Sequence, residues 1–275
     1  MDIAQIATIA GKEFWDRIRN RWVLAVALVF TAFALVIAYF GAAQQGAVGF
    51  RSIDVTIASL VSLVIYLIPL IALILGFDAI VGERERGSLD LLLSMPITRV
   101  ELLLGKYFGL AAALTFSTVA GFGLVAVVLS AQLELDALFH YFGFMLSSVL
   151  LGCAFLSLAV MLSVFASDRT RASGLAIAMW FFFVLVFDLL LLGALVVSGG
   201  ELGGRLGSEL FPYLLLLNPA DVFRILNIFS LEDVRALYGL ATVFPPNLAH
   251  PALLGAVMFA WIALPLGIAA WRFRK

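Results

Sequence analysis

Six long apolar stretches alternate with shorter polar segments along the chain. A helix needs about 20 apolar residues to cross a hydrocarbon core about 30 Å thick, and each stretch is about that long or longer. The stretches cover approximately residues 22–40, 55–77, 107–129, 139–165, 175–197 and 253–271. Lipid offers the backbone no hydrogen-bonding partner, and the stretches lack the period-two alternation of barrel strands, so we expect helices. The predicted fold is all-α, a single transmembrane domain of residues 1–275 with six transmembrane helices.

A different pattern precedes the first stretch. Apolar residues recur there at every third or fourth position, as Ile3, Ile6, Ala10, Phe14 and Ile18. One apolar stripe on an otherwise polar helix predicts an amphipathic N-terminal helix that lies in the membrane interface. The alternative is a simple positively charged anchor, without a defined turn between an interfacial helix and the first span.

Composition narrows the class of protein. Hydrophobic residues make up 64% of the 275 residues and charged residues 13%, against roughly 45 to 50% and about 25% in soluble domains. These proportions exclude an ordinary soluble enzyme and indicate contact with membrane lipid. The formal net charge of −1 shows no nucleic-acid footprint.

The position of the basic residues predicts the orientation. Thirteen of the seventeen fall on one side of the six predicted spans: Lys12, Arg17, Arg19, Arg21, Arg84, Arg86, Arg99, Lys106, Arg169, Arg171, Arg272, Arg274 and Lys275. The other four are Arg51, Arg205, Arg224 and Arg235. The positive-inside rule therefore places both termini in the cytoplasm.

The connection between the second and third stretches, residues 82–109, carries several helix signals. Gly87 interrupts a charged run, Ser88 is positioned to cap a short helix over residues 89–94, and Pro96 prevents its continuation. Thr98 and Glu101 then have the spacing of a capping box at the start of the next helix. Residues 82–106 are therefore either an amphipathic connector on the lipid surface or a docking loop for a cytoplasmic partner.

The longest segment on the opposite side covers residues 198–252, which we expect to be periplasmic. Its apolar part is too short to span a membrane and is interrupted by Pro212 and Pro219. Two half-helices in the outer interface are predicted, the second capped by Asn218 with Pro219 at its first position. Lipid, the spans and a periplasmic partner are all possible contacts for this segment.

Few residues in the spans are candidates for chemistry. Asp188 lies deep in the fifth stretch, where an acidic residue costs about 2.5 to 3.5 kcal/mol, so it faces either a water-filled route or a neighbouring helix as a protonated hydrogen-bonding group. Cys153, His140 and His250 form no metal-binding spacing, and no metal site is assigned. Glycines at 105 and 109 predict close helix packing.

The sequence contains no phosphate-binding loop of the G-x-x-x-x-G-K-(S/T) type. The only Gly-Lys pairs, at residues 11–12 and 105–106, are followed by Glu13 and Tyr107, and neither has a glycine five residues earlier. We therefore expect no ATP-binding cofactor site in this chain, and any coupling to ATP requires a separate ATPase.

Residues 82–109 resemble the corresponding loop of ABC-2 transporter permeases, with its patterns E-x-E-x-G-(S/T)-L, L-L-x-x-P and E-L-L-x-G-K. The matching positions are Glu83, Glu85, Gly87, Ser88, Leu89, Leu92, Leu93, Pro96, Glu101, Leu102, Leu103, Gly105 and Lys106. The resemblance implies a permease fold of the type V exporter kind. It also implies ATPase-coupling roles for Glu83, Glu85, Gly87, Leu92, Pro96, Glu101 and Lys106. In that family spans two and five follow the dimer axis, which would put Asp188 at or near the transport route.

The resemblance extends over nearly the whole chain to the NosY branch, which supports maturation of nitrous oxide reductase in denitrifying bacteria. Matching stretches include residues 12–22, 78–83, 183–188 and 215–219. It implies a homodimer in the bacterial inner membrane, two NosF-like cytoplasmic ATPase subunits that hold ATP and Mg²⁺, and a NosD-like periplasmic β-helix protein. Asn218, Asp221 and Arg224 are then expected to contact the periplasmic partner.

The alternative is an ABC-2 exporter of another cargo, such as a drug, a lipid or a polysaccharide. A stand-alone secondary transporter is a weaker interpretation, since it would need several intramembrane charges or broken helices.

Overall fold

The computed structural model describes residues 2–19, 22–40, 53–130, 135–197, 212–228, 248 and 250–274. Within these ranges the chain is helical and forms no strand, so the all-α prediction is confirmed there. The helices are α1 (Ile3–Arg19), α2 (Trp22–Phe40), α3 (Ile53–Gly76), α4 (Val81–Glu85), α5 (Ser88–Leu93), α6 (Arg99–Ser130), α7 (Leu135–Phe165), α8 (Arg169–Phe181), α9 (Phe187–Val197), α10 (Pro219–Ile228) and α11 (Pro251–Arg274).

Two long helices, α6 and α7, form the centre of the bundle. Helix α6 packs against α1, α2 and α7, and α7 packs against α3, α10 and α11. Buried aromatic rings connect four of these helices: the ring centroids of Phe30 and Phe122 lie 5.1 Å apart, and those of Phe122 and Phe144 lie 5.2 Å apart. Phe223 of α10 extends the series, 6.3 Å from Phe144. Such ring pairs contribute about 0.5 to 1.5 kcal/mol each beyond the burial of their area.

Five helical stretches within the described ranges are long and apolar enough to cross a membrane: Ser59–Glu85, Arg99–Val127, Leu138–Phe165, Arg169–Ala194 and Pro251–Arg274. Helix α2 coincides with the first predicted span, has 19 residues, and contains a shorter apolar stretch, Ala25–Ile37. A total of six membrane crossings stays a prediction.

Close packing of α1 on α6 depends on two glycines. A Cβ atom at Gly105 would lie 2.6 Å from Ile9 Cβ, and one at Gly109 would lie 2.6 Å from the Ala10 carbonyl oxygen. The close packing predicted for these glycines is therefore confirmed, with α1 as the helix that packs there. Glu13 also lies on the buried face of α1, although the apolar stripe did not include it. An interfacial position for α1 stays a prediction.

The fifth predicted span is interrupted by a π-helical segment. Helix α8 leads into the π-helix Phe182–Val186, which is followed by α9. The carbonyl of Phe183 accepts a hydrogen bond of 2.8 Å from the Asn218 side-chain amide. The hydrogen-bond donor for this widened turn therefore comes from Asn218, in the segment just before α10. Such π-turns are frequent at functional sites.

Candidate functional site

Residues 77–98 form a compact reversal between α3 and α6. Gly87, with a φ of +71°, lies between α4 and α5 in the left-handed region that glycine adopts without steric cost. The predicted capping role of Ser88 is wrong: α5 begins at Ser88 itself, Gly87 is the N-cap, and the Ser88 hydroxyl donates to the Glu83 carboxylate and carbonyl instead. Ser88 therefore ties the start of α5 to α4.

The predicted capping box is present at the start of α6. The backbone N–H of Thr98 donates to Glu101 Oε2 at 2.8 Å, and the Glu101 N–H donates to Thr98 Oγ1 at 3.3 Å. The backbone N–H of Asp2 also donates to Glu101 Oε1 at 2.6 Å. Glu101 is thus a buried structural residue that joins the start of α1 to the start of α6.

Lys106 lies between two carboxylates from different helices. Its Nζ is 3.1 Å from Glu13 Oε2 on α1 and 2.9 Å from Glu83 Oε1 on α4. Arg17 is 3.3 Å from Glu13, and Arg86 is 3.7 Å from Glu83, so each carboxylate has a second cation. We call these five residues the inner charge cluster. It fixes α4, and through it α5, against α1 and α6.

A second set of contacts connects the loop to the start of α8. Arg169 Nη2 lies 2.9 Å from Asp78 Oδ2, and the Arg169 backbone N–H donates to Glu85 Oε1 at 2.7 Å. Next to it, Asp168 caps α8 by accepting the Arg171 N–H at 2.8 Å. This hydrogen bond, with that from Ser167, holds the pKa of Asp168 below its usual range. Displacement of α4 would therefore act on the first turn of α8, the helix that leads into the fifth predicted span.

The exposed surface of the loop is the far side of α5. Leu91 is 68% exposed and Met95 50% exposed, and Asp90 lies beside them in solvent. The sequence interpretation selected Leu92, which is half-buried, and missed these three residues. Because α5 has only six residues and most are apolar, the sequence pattern does not show which side of the helix faces solvent. Only the acidic residue at 90 indicated the exposed side.

The predicted coupling residues divide into two groups. Glu85, Gly87 and Pro96 are exposed at the surface of the loop. Lys106 and Glu101 are buried and Glu83 is half-buried. The structure thus brings Glu83 and Lys106 into direct contact and assigns them to internal architecture.

On the other side of the bundle, Arg224 of α10 joins two aspartates. Its Nη1 donates to Asp221 Oδ1, and its Nη2 lies 3.0 Å from Asp188 Oδ2 on α9. Asn218 caps α10 as predicted, since its Oδ1 accepts the Ala220 N–H at 3.0 Å, and its amide donates to Asp221 Oδ2 at 2.9 Å. We call these four residues the outer charge cluster.

The outer charge cluster bears on two predictions. Asp188 forms an ion pair with Arg224, a partner that the sequence did not suggest, and 37% of its side chain stays exposed. Asn218 and Asp221 are buried inside the chain and present no surface to a partner. Of the three expected contacts with a periplasmic protein, only Arg224 is accessible, and the rest of residues 198–252 lies largely outside the described ranges.

The part of the chain that the structure describes contains no group of three or more histidine, cysteine, aspartate or glutamate residues placed to hold a metal ion. Cys153 is half-buried, and its carbonyl accepts a hydrogen bond of 3.1 Å from the Tyr107 hydroxyl.

Helical stretches long enough to cross a membrane and a compact loop with an exposed apolar tip are features of a transporter permease. The profile of the "ABC-2 family transporter protein" matches residues 7–275. The chain therefore belongs to the ABC-2 family, and it is a multi-pass membrane permease subunit of an ABC transporter.

Two curated relatives place the chain more closely. Both bear the description "Probable ABC transporter permease protein NosY". The relative from Stutzerimonas stutzeri is 45% identical over 275 residues, which cover 98% of each chain. The relative from Pseudomonas aeruginosa is 46% identical over 272 residues, which cover 98% of this chain and 97% of the relative. The resemblance to the NosY branch is thereby confirmed.

Proposed function

We propose that the chain is the permease of a NosY-type ABC transporter that supports maturation of the copper–sulfur centre of nitrous oxide reductase. The observation that carries this proposal is the similarity to NosY permeases over nearly the full length of both chains. ATP hydrolysis on the partner subunits drives export of a sulfur or copper species, or transmits force across the membrane. Deletion of the gene should yield reductase that lacks this centre, and the intact gene should restore it.

The ATPase docks on α5 and the residues that follow it. The chain has no phosphate-binding loop, so ATP and Mg²⁺ are bound by two separate cytoplasmic subunits of the NosF kind. Leu91 and Met95 supply an exposed apolar contact, and Asp90 adds a charge next to it. The inner charge cluster holds α4 rigidly, so a force on α5 passes to α1 and α6.

The docking proposal is tested by replacing Leu91 with glutamate. A charge in the middle of an apolar contact should weaken co-purification of the ATPase by about tenfold or more. Leu217→Glu is the matched control, because Leu217 is also a leucine, is 57% exposed, and lies just before α10 on the other side of the bundle. Equal ATPase recovery with both variants would contradict docking at α5.

Two copies of the chain form the transport unit. Helix α9 leaves Leu189, Leu190 and Leu192 exposed, which supports an apolar contact with a second copy along the fifth span. Asp188, on the same helix, then lies near the route between the copies. Cross-linking of single cysteines introduced at these leucines, in a chain whose Cys153 is replaced by alanine, should yield covalent dimers in membranes.

Both termini face the cytoplasm of the bacterial inner membrane, and residues 198–252 face the periplasm, where a NosD-like protein binds. The support is the thirteen-to-four distribution of basic residues over the predicted spans. Reporter fusions after Arg171 and Lys275 should behave as cytoplasmic, and fusions at Gln44, Asp136 and Gly204 as periplasmic. A cytoplasmic signal at Gly204 would overturn the six-span arrangement.

A further inference from the structure

Most basic side chains described on the proposed cytoplasmic side are neutralised by a carboxylate. Arg17 pairs with Glu13, and Arg169 pairs with Asp78 at 2.9 Å. The same holds for Lys12, Arg86, Lys106 and Arg171. Because most of these side chains are paired, a cluster of described arginines with no carboxylate within salt-bridge distance is a distinct feature of this face.

Four arginines from three helices form such a cluster. Arg84, Arg99 and Arg272 line a cavity of about 410 Å³ together with residues 164–167 and Phe273. Arg99 and Arg274 line a neighbouring cavity of about 400 Å³. Neither cavity has an aspartate or glutamate among the described residues of its wall, and none of the four arginines lies within salt-bridge distance of a described carboxylate.

Neutral groups position two of these guanidinium groups without cancelling their charge. Arg84 donates to the carbonyl oxygens of Ala166 at 2.9 Å and Val164 at 3.4 Å. Arg99 donates to the Phe273 carbonyl at 3.2 Å, and its guanidinium carbon lies 5.9 Å from the centre of the Phe273 ring. An arginine has five N–H donors, so each keeps donors for a further acceptor. The cavities are thus lined by positioned, uncompensated positive charge.

An exposed apolar strip leads along α11 to this cluster. Leu264, Ile268 and Trp271 are 65%, 47% and 60% exposed, and their spacing of four and three residues places them on one face of the helix. Arg272 follows Ile268 by four residues on the same side. Phe165, beside the larger cavity, is 50% exposed. An apolar strip that ends in arginines matches a molecule with an anionic head and an apolar tail.

We propose that Arg84, Arg99, Arg272 and Arg274 bind the phosphate head group of an anionic phospholipid whose acyl chain lies along the exposed strip of α11. Basic pockets between transmembrane helices on the cytoplasmic side are sites for such head groups. Guanidinium groups bind phosphate through pairs of N–H donors, and arginine suits this role better than lysine. The apolar strip favours a lipid over an acidic protein segment, because a lipid has an acyl chain to lie along the strip and an acidic segment has none.

The test is lipid retention by the purified full-length protein. Protein in detergent is mixed with phosphatidylglycerol or with phosphatidylcholine, and bound lipid is counted by native mass spectrometry. Arg272→Gln and Arg274→Gln are the first variants, because neither side chain has a hydrogen bond or ion pair that a substitution would disrupt among the described contacts. Each should lower phosphatidylglycerol affinity about fivefold, which corresponds to about 1 kcal/mol per basic residue. Phosphatidylcholine binding should be weak throughout.

Lys12→Gln is the matched control. Lys12 is 74% exposed on the same face, pairs with Asp16 at 3.7 Å and lines neither cavity, so its removal should leave phosphatidylglycerol binding unchanged. An equal loss in Lys12→Gln and Arg272→Gln would show that lipid responds only to the total positive charge of this face, and it would overturn the proposal.

Two further results distinguish other occupants. Displacement of the lipid by inorganic phosphate at equal concentration would show a site for free phosphate, because the tail would then contribute nothing. Unchanged lipid binding with reduced ATPase co-purification in Arg272→Gln would assign the arginines to the protein partner. Either result overturns lipid binding here, and neither depends on whether the ATPase docks at α5.

Discussion

The inner and outer charge clusters share one arrangement, a single cation between two carboxylates from different helices. In the inner charge cluster Lys106, with 8% of its side chain exposed, lies between Glu13 and Glu83, which are 12% and 16% exposed. Of the three charged residues in the outer charge cluster, Arg224 and Asp188 are 34% and 37% exposed, and Asp221 is buried. The same ion arrangement is therefore closed at one end of the protein and open at the other.

The two clusters also differ in the number of cations that each carboxylate contacts. Arg17 and Arg86 supply further cations to the inner charge cluster, so each of its two carboxylates contacts two cations. In the described ranges, Arg224 is the one cation within salt-bridge distance of Asp188 and Asp221. Asp221 also accepts a hydrogen bond from the neutral side-chain amide of Asn218. The inner charge cluster therefore joins α1, α4 and α6 through largely buried contacts, whereas Arg224 and Asp188 of the outer charge cluster stay accessible at the surface of the chain.

Lys106→Met should have the largest effect on stability. It removes the buried cation that Glu13 and the half-buried Glu83 share and leaves each carboxylate with a more exposed arginine. Removing one member of a buried ion pair costs about 3 to 5 kcal/mol. Thermal unfolding in lipid nanodiscs measures this loss. Lys12→Met is the control, because Lys12 is 74% exposed and its pair with Asp16 contributes about 0 to 1 kcal/mol. Similar unfolding temperatures for the two variants would contradict a structural role for the inner charge cluster.

Gly109→Ala should separate α1 from α6 and weaken the inner charge cluster indirectly. The added methyl group would lie 2.6 Å from the Ala10 carbonyl and from Glu13 Cβ, a clash that costs about 1 to 3 kcal/mol. Gly123→Ala, in the same helix with no atom within 4 Å of the added Cβ, should be neutral or slightly stabilising. If Gly109→Ala unfolds at the same temperature as Gly123→Ala, α1 does not pack here as described.

Arg224→Gln should cost about 1 to 2 kcal/mol, less than Lys106→Met because two of the three charged groups are partly solvated. The loss comes mainly from Asp221, which stays buried without its cation. Adding Asp221→Asn should recover part of the stability, since no buried charge then remains unpaired. An additive loss in the double variant would show that Arg224 acts through packing instead.

Asp188→Asn should change stability by less than about 1 kcal/mol, because Asp188 is partly exposed and Asp221 still holds Arg224. Maturation of nitrous oxide reductase should nevertheless fail in cells, while the dimer and its ATPase assemble. Asp188→Leu, which also removes the hydrogen-bonding capacity, should fail in the same assay. Normal maturation with both variants would remove Asp188 from the transport route.

The helices and their start signals followed from local patterns. The first predicted span coincides with α2, and the capping box at Thr98 and Glu101 and the Asn218 cap are present. These features depend on residues close together in the sequence, where spacing alone determines which groups meet. Helix α6 begins at Arg99, as the capping box predicts, and therefore starts before the apolar stretch that begins at Tyr107.

Contacts between distant residues were not predictable in the same way. Glu13 was not included in the apolar stripe, and its partner Lys106 is 93 positions away. Asp188 was expected without an ionic partner, and Arg224 was assigned to a separate surface. Hydrophobic periodicity identifies which face of a helix is apolar, but a lone charge within that face carries no information about its partner.

The length of the apolar stretches specifies membrane helices, because in lipid the backbone must satisfy its own hydrogen bonds. The loop pattern at residues 82–109 adds the ABC-2 family, and the sequence contains no ATP-binding loop. The tertiary structure alone decides which charges meet. Glycines at 105 and 109 bring α1 onto α6, and the segment before α10 meets the π-turn, so the rotation and approach of whole helices determine each ion pair. Those quantities depend on packing across the bundle, which no short window of sequence contains.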